Sequence, residues 1–224
     1  DIAEFIVNRR SKVVAEVINT AWEIECAKQR KARREKSGMQ LLHEAREGNC
    51  VEGCNELWLQ LAKEVLDNNG IILKSFQQAV INLLTKGREK YRNIMIIGPA
   101  NCGKTFILNP TTKIFTTFSN PASSSFAWVD AEKAECLFLN DFRWSQAIIP
   151  WHDLLLLLEG QLVHLPALKT HFAKDICFAG DRPIFATAKN PICFVKNGSI
   201  DNRETEMMAV GWKIFRFNCQ ILEV

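Results

Sequence analysis

Apolar residues follow two different periods along this chain, and the change between them divides it. Up to about residue 68 they recur at intervals of three, four and seven. Ile6, Val13, Val17, Ala21 and Ile24 share one face while charges fill the other, which predicts helix. Trp58, Leu59, Leu61, Ala62 and Leu66 form a second helical face, closed by Asn68-Asn69-Gly70. Residues 71–86 form a third, with Phe76, Val80, Leu83 and Leu84 apolar and Gly87 as the expected C-terminal cap. From there short apolar blocks take over. Residues 94–97, 126–129, 136–139, 183–188 and 213–217 read as strands. Helices are expected from Thr105 to Asn109-Pro110 and over 150–159, with a polar, turn-rich stretch at 119–125. Strands alternating with helices or long crossovers imply a parallel sheet. The expected architecture is therefore an α/β core over 89–224, preceded by a small all-helical domain over 1–88, with the boundary drawn between Gly87 and Tyr91.

The first strand runs straight into Gly98-Pro99-Ala100-Asn101-Cys102-Gly103-Lys104-Thr105, the Walker A pattern in its proper setting of strand, glycine turn and helix. A nucleoside triphosphate brings several negative charges, so it needs a concave row of backbone N–H groups. Only a glycine-permitted turn lets those groups approach the phosphate oxygens closely. The helix beginning at Gly103 aims the positive end of its dipole at the same place. Lys104 is expected to reach the β- and γ-phosphates, and the Thr105 hydroxyl to ligate Mg²⁺. An acid at the end of a neighbouring strand should complete the metal shell and polarise the attacking water. Leu137-Phe138-Leu139-Asn140-Asp141 has that form, with Asp141 as the acid. Asn190, at the end of Phe185-Ala186-Thr187-Ala188-Lys189-Asn190, is suited to hold the water near the γ-phosphate.

Composition narrows the setting. The chain has 224 residues, 47 % hydrophobic and 24 % charged, with net charge +3, so any nucleic-acid contact must be local rather than global. Residues 28–36 hold six basic residues and one acid, Glu35, which suits a solvated helix end, a nucleic-acid contact or a localisation signal. Eight cysteines are scattered through core strands and the glycine turn itself, which fits a reducing intracellular compartment better than a disulfide framework. Cys50, Cys54 and His43 could hold zinc, but a fourth ligand at a usual spacing is missing. The longest apolar run, residues 154–158, is far too short to span a bilayer, and the first residues lack a signal-peptide pattern. A chain opening on Asp1 is expected to be a piece of a longer protein.

Residues 159–174 alternate apolar and polar around a Lys169-Thr170-His171 tip and read as a β-hairpin. A lysine on a rigid two-stranded tip can pair with a phosphate of a nucleic acid, and a solvated hairpin is the plainer alternative. Gly-Pro-Ala-Xaa-Xaa-Gly-Lys-Thr, an apolar strand ending in an acid, Gly-Gln followed by a basic hairpin, and a strand ending in Asn come in that order. Over roughly residues 76–217 this resembles the superfamily-3 helicases, and most of all the parvoviral replication proteins; the papillomavirus replicative helicase is similar. The resemblance implies a P-loop NTPase of the AAA+ type that uses ATP and Mg²⁺. It also implies a homo-oligomeric, hexameric ring that threads single-stranded DNA and unwinds duplexes in viral replication, with a host nucleus as its location. By the same resemblance Lys169 and His171 contact DNA, and the helical front end corresponds to an oligomerising collar.

Two residues depart from the family pattern. The first of two Walker B acids is replaced by Asn140, and Gly211 stands where the family places an arginine that reaches the neighbouring subunit's γ-phosphate. Arg203 is the nearest upstream substitute. These departures favour a second reading, a nucleotide-binding assembly module with little unwinding. A small-molecule kinase is a third, disfavoured because the segment after Asp141 offers no evident acceptor pocket or lid.

Overall fold

The computed structural model describes residues 9, 11–48, 53, 55–119, 128, 130–165 and 176–221. Compactness divides the chain into Asp1–Ser37 and Gly38–Val224. The first unit contains helix α1 (Ser11–Arg34), none of whose described residues is buried; Val13, Val17, Ile18, Trp22 and Ile24 are all exposed.

In the second unit, α2 (Gly38–Glu47), α3 (Leu57–Asn68) and α4 (Leu73–Lys86) precede the first strand, β1 (Asn93–Ile97). The chain continues as α5 (Lys104–Ile114), β2 (Thr117–Ser119), a short 3-10 turn (Ala131–Lys133) and β3 (Cys136–Leu139). Helix α6 (Trp151–Leu158) follows, then the hairpin β4 (Val163–Leu165) and β5 (Ile176–Phe178), and strand β6 (Ile184–Ala188). A small hairpin, β7 (Val195–Lys196) and β8 (Ser199–Ile200), leads through α7 (Asn202–Val210) to β9 (Trp212–Arg216).

Five strands form one sheet in the order β2-β3-β6-β1-β9, every pair parallel. From β1 the chain goes out to β2, steps back through β3 and β6, and lays β9 on the other flank. That reversal opens a crevice at the carboxyl ends of β1 and β6, where open α/β sheets bind ligands. β1 is buried along its whole length, as a strand covered on both faces must be. Ile94 and Ile96 join one apolar cluster with α2, α4 and α5 residues, while Met95 and Ile97 join the other with α6 and the base of the β4–β5 hairpin. The helical residues after Gly38 are thus the covering layer of one sheet face, not a domain apart: Leu41, Ala62, Leu66, Phe76, Leu83 and Leu84 pack in the same cluster as Phe138, Phe185 and Phe215. Cys136, at the head of β3, is fully buried; burial pushes its thiol far above the usual range, with the Glu135 carboxylate adding to the effect, so it is a protonated core side chain.

Several expected boundaries move. The helix after the glycine turn runs through Pro110 to Ile114, because Ile107, Leu108 and the following Phe115 are buried and hold it. The Thr111 and Thr112 hydroxyls donate to the carbonyls of Leu108 and Asn109 around the proline. The edge strand among the described residues is Thr117–Ser119; of the strand expected at 126–129 only Trp128 is described, buried in a turn, and the rest lies outside the described residues. The return strand of the hairpin is Ile176–Phe178, beyond the residue 174 at which the alternation was expected to end.

Candidate functional site

The glycine loop leaves β1 at the crevice. Gly98 N donates to Ala188 O at 3.1 Å, and Phe217 N donates to Ile97 O at 2.7 Å, so the loop starts between the ends of β6 and β9. A Cβ on Gly98 would stand 2.1 Å from Phe217 O, so no other residue fits there. The loop turns through two left-handed residues, Asn101 (φ 55°) and Gly103 (φ 83°), and a Cβ on Gly103 would meet a Val65 methyl at 2.9 Å. Helix α5 begins at Lys104, and the N–H groups of its first turn lack intrahelical acceptors, as in any helix. Together the turn and the helix start form a cradle suited to an oxyanion.

Lys104 lies against the loop itself. Its ammonium donates to Gly98 O at 2.9 Å and to Pro99 O, and sits 3.6 Å from the Cys102 thiol. The segment after β9 closes the loop's other side: Ile221 N donates to Asn101 O at 2.6 Å and Gln220 Nε2 to Ala100 O at 3.1 Å. Asn69, just past α3, steadies that segment by accepting from Asn218 N and Cys219 N at 2.7 and 2.9 Å. Between α3, the loop and this segment is a cleft of about 200 Å³ lined by Leu61, Val65, Cys102 and Ile221 among others.

Across the crevice the turn after β3 meets the loop. Thr105 Oγ1 donates to Asn140 Oδ1 at 3.0 Å, Thr187 Oγ1 donates to the same oxygen at 2.8 Å, and Asp141 N donates to Thr187 Oγ1 at 2.7 Å. Asn140, not Asp141, therefore stands at the Thr105 hydroxyl. Asp141 is left-handed (φ 52°) and exposed, and shares a second cleft of about 390 Å³ with Asn190, Arg143, Trp144 and Lys189.

Of the residues singled out in the sequence, Gly98 to Thr105, Asp141 and Asn190 thus gather at one end of the sheet. Arg203 is exposed on α7 and lines neither cleft. The first turn of α7 is fixed by Asp201, whose carboxylate accepts from Glu204 N, and by Glu204, which accepts from Trp151 Nε1 at 2.8 Å. Gly211 is walled in: a Cβ there would come within 2.9 Å of the buried Leu158 side chain, so an arginine at 211 has no room. Gly211→Ala is expected to cost about 1–3 kcal/mol by overpacking, read as a lowered denaturation midpoint. Lys169 and His171 lie outside the described residues, as do Cys50 and Cys54. Among the described residues no group of three or more His, Cys, Asp or Glu could hold a metal, and no helix is long and apolar enough to cross a membrane.

The donors present suit magnesium, which prefers oxygen ligands and takes few from protein when phosphates supply the rest. Thr105 supplies a hydroxyl, held by Asn140 Oδ1, and Asp141, the next residue along that turn, supplies a carboxylate to the neighbouring cleft. Sequence reasoning does not single out Thr187 or Asn69. A threonine inside an apolar strand reads as an ordinary β-branched residue, and an asparagine before glycine as a helix stop.

The fold resembles that of the JC virus helicase. A crystal structure of that helicase bound to a small acetamide compound aligns with a TM-score of 0.57 at 12 % sequence identity. The alignment covers 96 % of this chain and 62 % of the helicase chain. No protein-family model matches the sequence, and no curated protein matches it significantly.

Proposed function

We propose that this chain is the motor core of an ATP-dependent DNA helicase of superfamily-3 type, serving replication of a virus or virus-derived element. One observation carries the proposal. On a fold shared with a viral helicase, the Gly98–Thr105 loop sits at the carboxyl end of β1 with its threonine bonded to the turn that carries Asp141.

In this reading the loop is a P-loop. Backbone N–H groups between Ala100 and Thr105 bind the β- and γ-phosphates, and Lys104 exchanges its loop carbonyls for phosphate oxygens. The apolar cleft beside Cys102 receives the flat base of the nucleotide. Thr105 and Asp141 would hold Mg²⁺, which when bound would offset the phosphate charge. Asp141 accepts the proton of the attacking water, and Asn190, in the same cleft, orients that water. The protein works as a homo-oligomer, a hexameric ring around single-stranded DNA, with Lys169 and His171 of the hairpin on the strand and Arg203 offered to a neighbouring subunit. ATP hydrolysis measured with and without a single-stranded oligonucleotide tests this: stimulation by DNA is expected, and DNA-independent turnover would remove the helicase assignment.

A second reading, a nucleotide-dependent assembly module with slow turnover, draws on two observations. The residue at Thr105 is the neutral Asn140, and Leu158 leaves no room for an arginine at 211. Asn140→Asp restores a carboxylate at the metal's edge and separates the two. A motor limited by its missing acid should gain turnover by roughly tenfold or more, read as Mg²⁺-dependent phosphate release. A module that never closes its site should gain only metal affinity.

A further inference from the structure

Thr187 is one of three buried polar or charged side chains among the described residues, with 1 % of its surface exposed in a strand otherwise made of Ile184, Phe185, Ala186 and Ala188. A hydroxyl in such a place is costly unless it is paired. Here it is paired twice, and both partners belong to the turn after β3. It accepts from Asp141 N at 2.7 Å and donates to Asn140 Oδ1 at 2.8 Å, while its own backbone carbonyl accepts from Phe142 N at 2.7 Å. Three consecutive residues of that turn therefore hang on one residue of the central strand.

The proton count gives this arrangement its consequence. Asn140 Oδ1 has two lone pairs; Thr187 occupies one and Thr105 the other. With its single proton committed to Asn140, the Thr105 hydroxyl can act toward anything else only as an acceptor, the role a cation ligand needs. The Asp141 N–H bond in turn holds a non-glycine residue in the left-handed region, which aims Asp141 into the cleft it shares with Asn190.

We infer that Thr187 is the positioning residue of the metal–nucleotide site: it fixes the Asn140 amide, through it the Thr105 hydroxyl as a ligand for a divalent cation, and Asp141 over the neighbouring cleft. This rests on the reading of the glycine loop as a nucleotide site. Thr187 touches neither nucleotide nor metal and acts through Asn140 and Asp141.

The test compares Thr187→Val, which keeps the shape and removes the hydroxyl, with Thr187→Ser, which keeps the hydroxyl. Two readouts are taken on the full chain: amide exchange at Asp141 in metal- and nucleotide-free protein, and ATP affinity measured in EDTA and in Mg²⁺. Thr187→Val should lose the slow exchange of the Asp141 amide and keep its affinity in EDTA. Its affinity in Mg²⁺ should fall by about 10- to 100-fold. Thr187→Ser should restore both. A valine variant with unchanged exchange and an unchanged Mg²⁺ gain, or a serine variant as impaired as valine, overturns the inference while leaving the nucleotide site standing. Wild-type protein that binds no ATP in either condition overturns the reading of the loop and the inference with it.

Discussion

Lys104→Ala is expected to abolish ATP turnover, by a factor on the order of a hundred to a thousand or more, and to weaken Mg·ATP binding with it. Two consequences of one side chain combine here. The ammonium is the only positive group of the loop itself, so its removal would leave the loop only backbone dipoles to set against the phosphate charge. It also binds the carbonyls of Gly98 and Pro99, and so helps set the curvature of the cradle. Lys104→Arg should not rescue turnover, because a planar guanidinium cannot replace a compact ammonium within the same turn. Stopped-time phosphate release on both variants checks this, with the thermal midpoint as a control for folding. Turnover within a few-fold of wild type would mean that chemistry does not pass through this loop.

Arg88→Met is expected to be the most destabilising substitution outside the site. Arg88 lies two residues past the end of α4 and is 1 % exposed. Its Nε donates to Gly180 O at 2.7 Å, and its terminal nitrogens donate to Leu156 O, Leu157 O, Gln161 O and Phe178 O. Those carbonyls belong to the end of α6 and to both strand bases of the β4–β5 hairpin, and the guanidinium also stacks 5.0 Å from the Phe178 ring centre. Burial pulls its pKa down to about 10, with Asp181 raising it and Arg182 lowering it further, and the side chain stays charged at neutral pH. Methionine fills much of the space and satisfies none of the carbonyls. With roughly 1–3 kcal/mol for each buried acceptor left unpaired, part of it recovered by water, the cost is about 3–5 kcal/mol. In a unit of this size that lowers the thermal midpoint by about 10 °C. Denaturant and thermal unfolding check it, and a loss below about 1 kcal/mol would show that the carbonyls find other partners. Arg88→Lys should recover only part, since one ammonium cannot span acceptors on three elements.

Much of the fold is legible in the sequence because its strands are short, wholly apolar and punctuated. The blocks at 94–97, 136–139, 183–188 and 213–217 all become strands within a residue of expectation. The helix over 150–159 also forms, since five of the eight residues in Trp151–Leu158 are buried. Legibility fails where local chemistry and tertiary packing disagree. Pro110 argues for a helix end, yet buried neighbours on both sides carry the helix past it. Thr117–Ser119 is too short and too polar to read as a strand, and pairs because β3 offers an edge. The β7–β8 hairpin has an unread signal in Asn197-Gly198, both left-handed as a two-residue hairpin turn requires. In the site, the loop and its lysine follow from spacing alone. The exchange of Asn140 for Asp141 at the Thr105 hydroxyl does not, because which of two adjacent residues faces the loop depends on a turn that Thr187 sets from another strand.

The most direct measurement is an equilibrium titration of the whole chain with a fluorescent ATP analogue in Mg²⁺, competed by unlabelled ATP. Saturable binding that ATP displaces, and that Lys104→Ala removes, is the predicted result. A signal that does not saturate, or that ATP leaves unchanged, would contradict the claim that the loop between Ile97 and Thr105 is built to hold a nucleoside triphosphate.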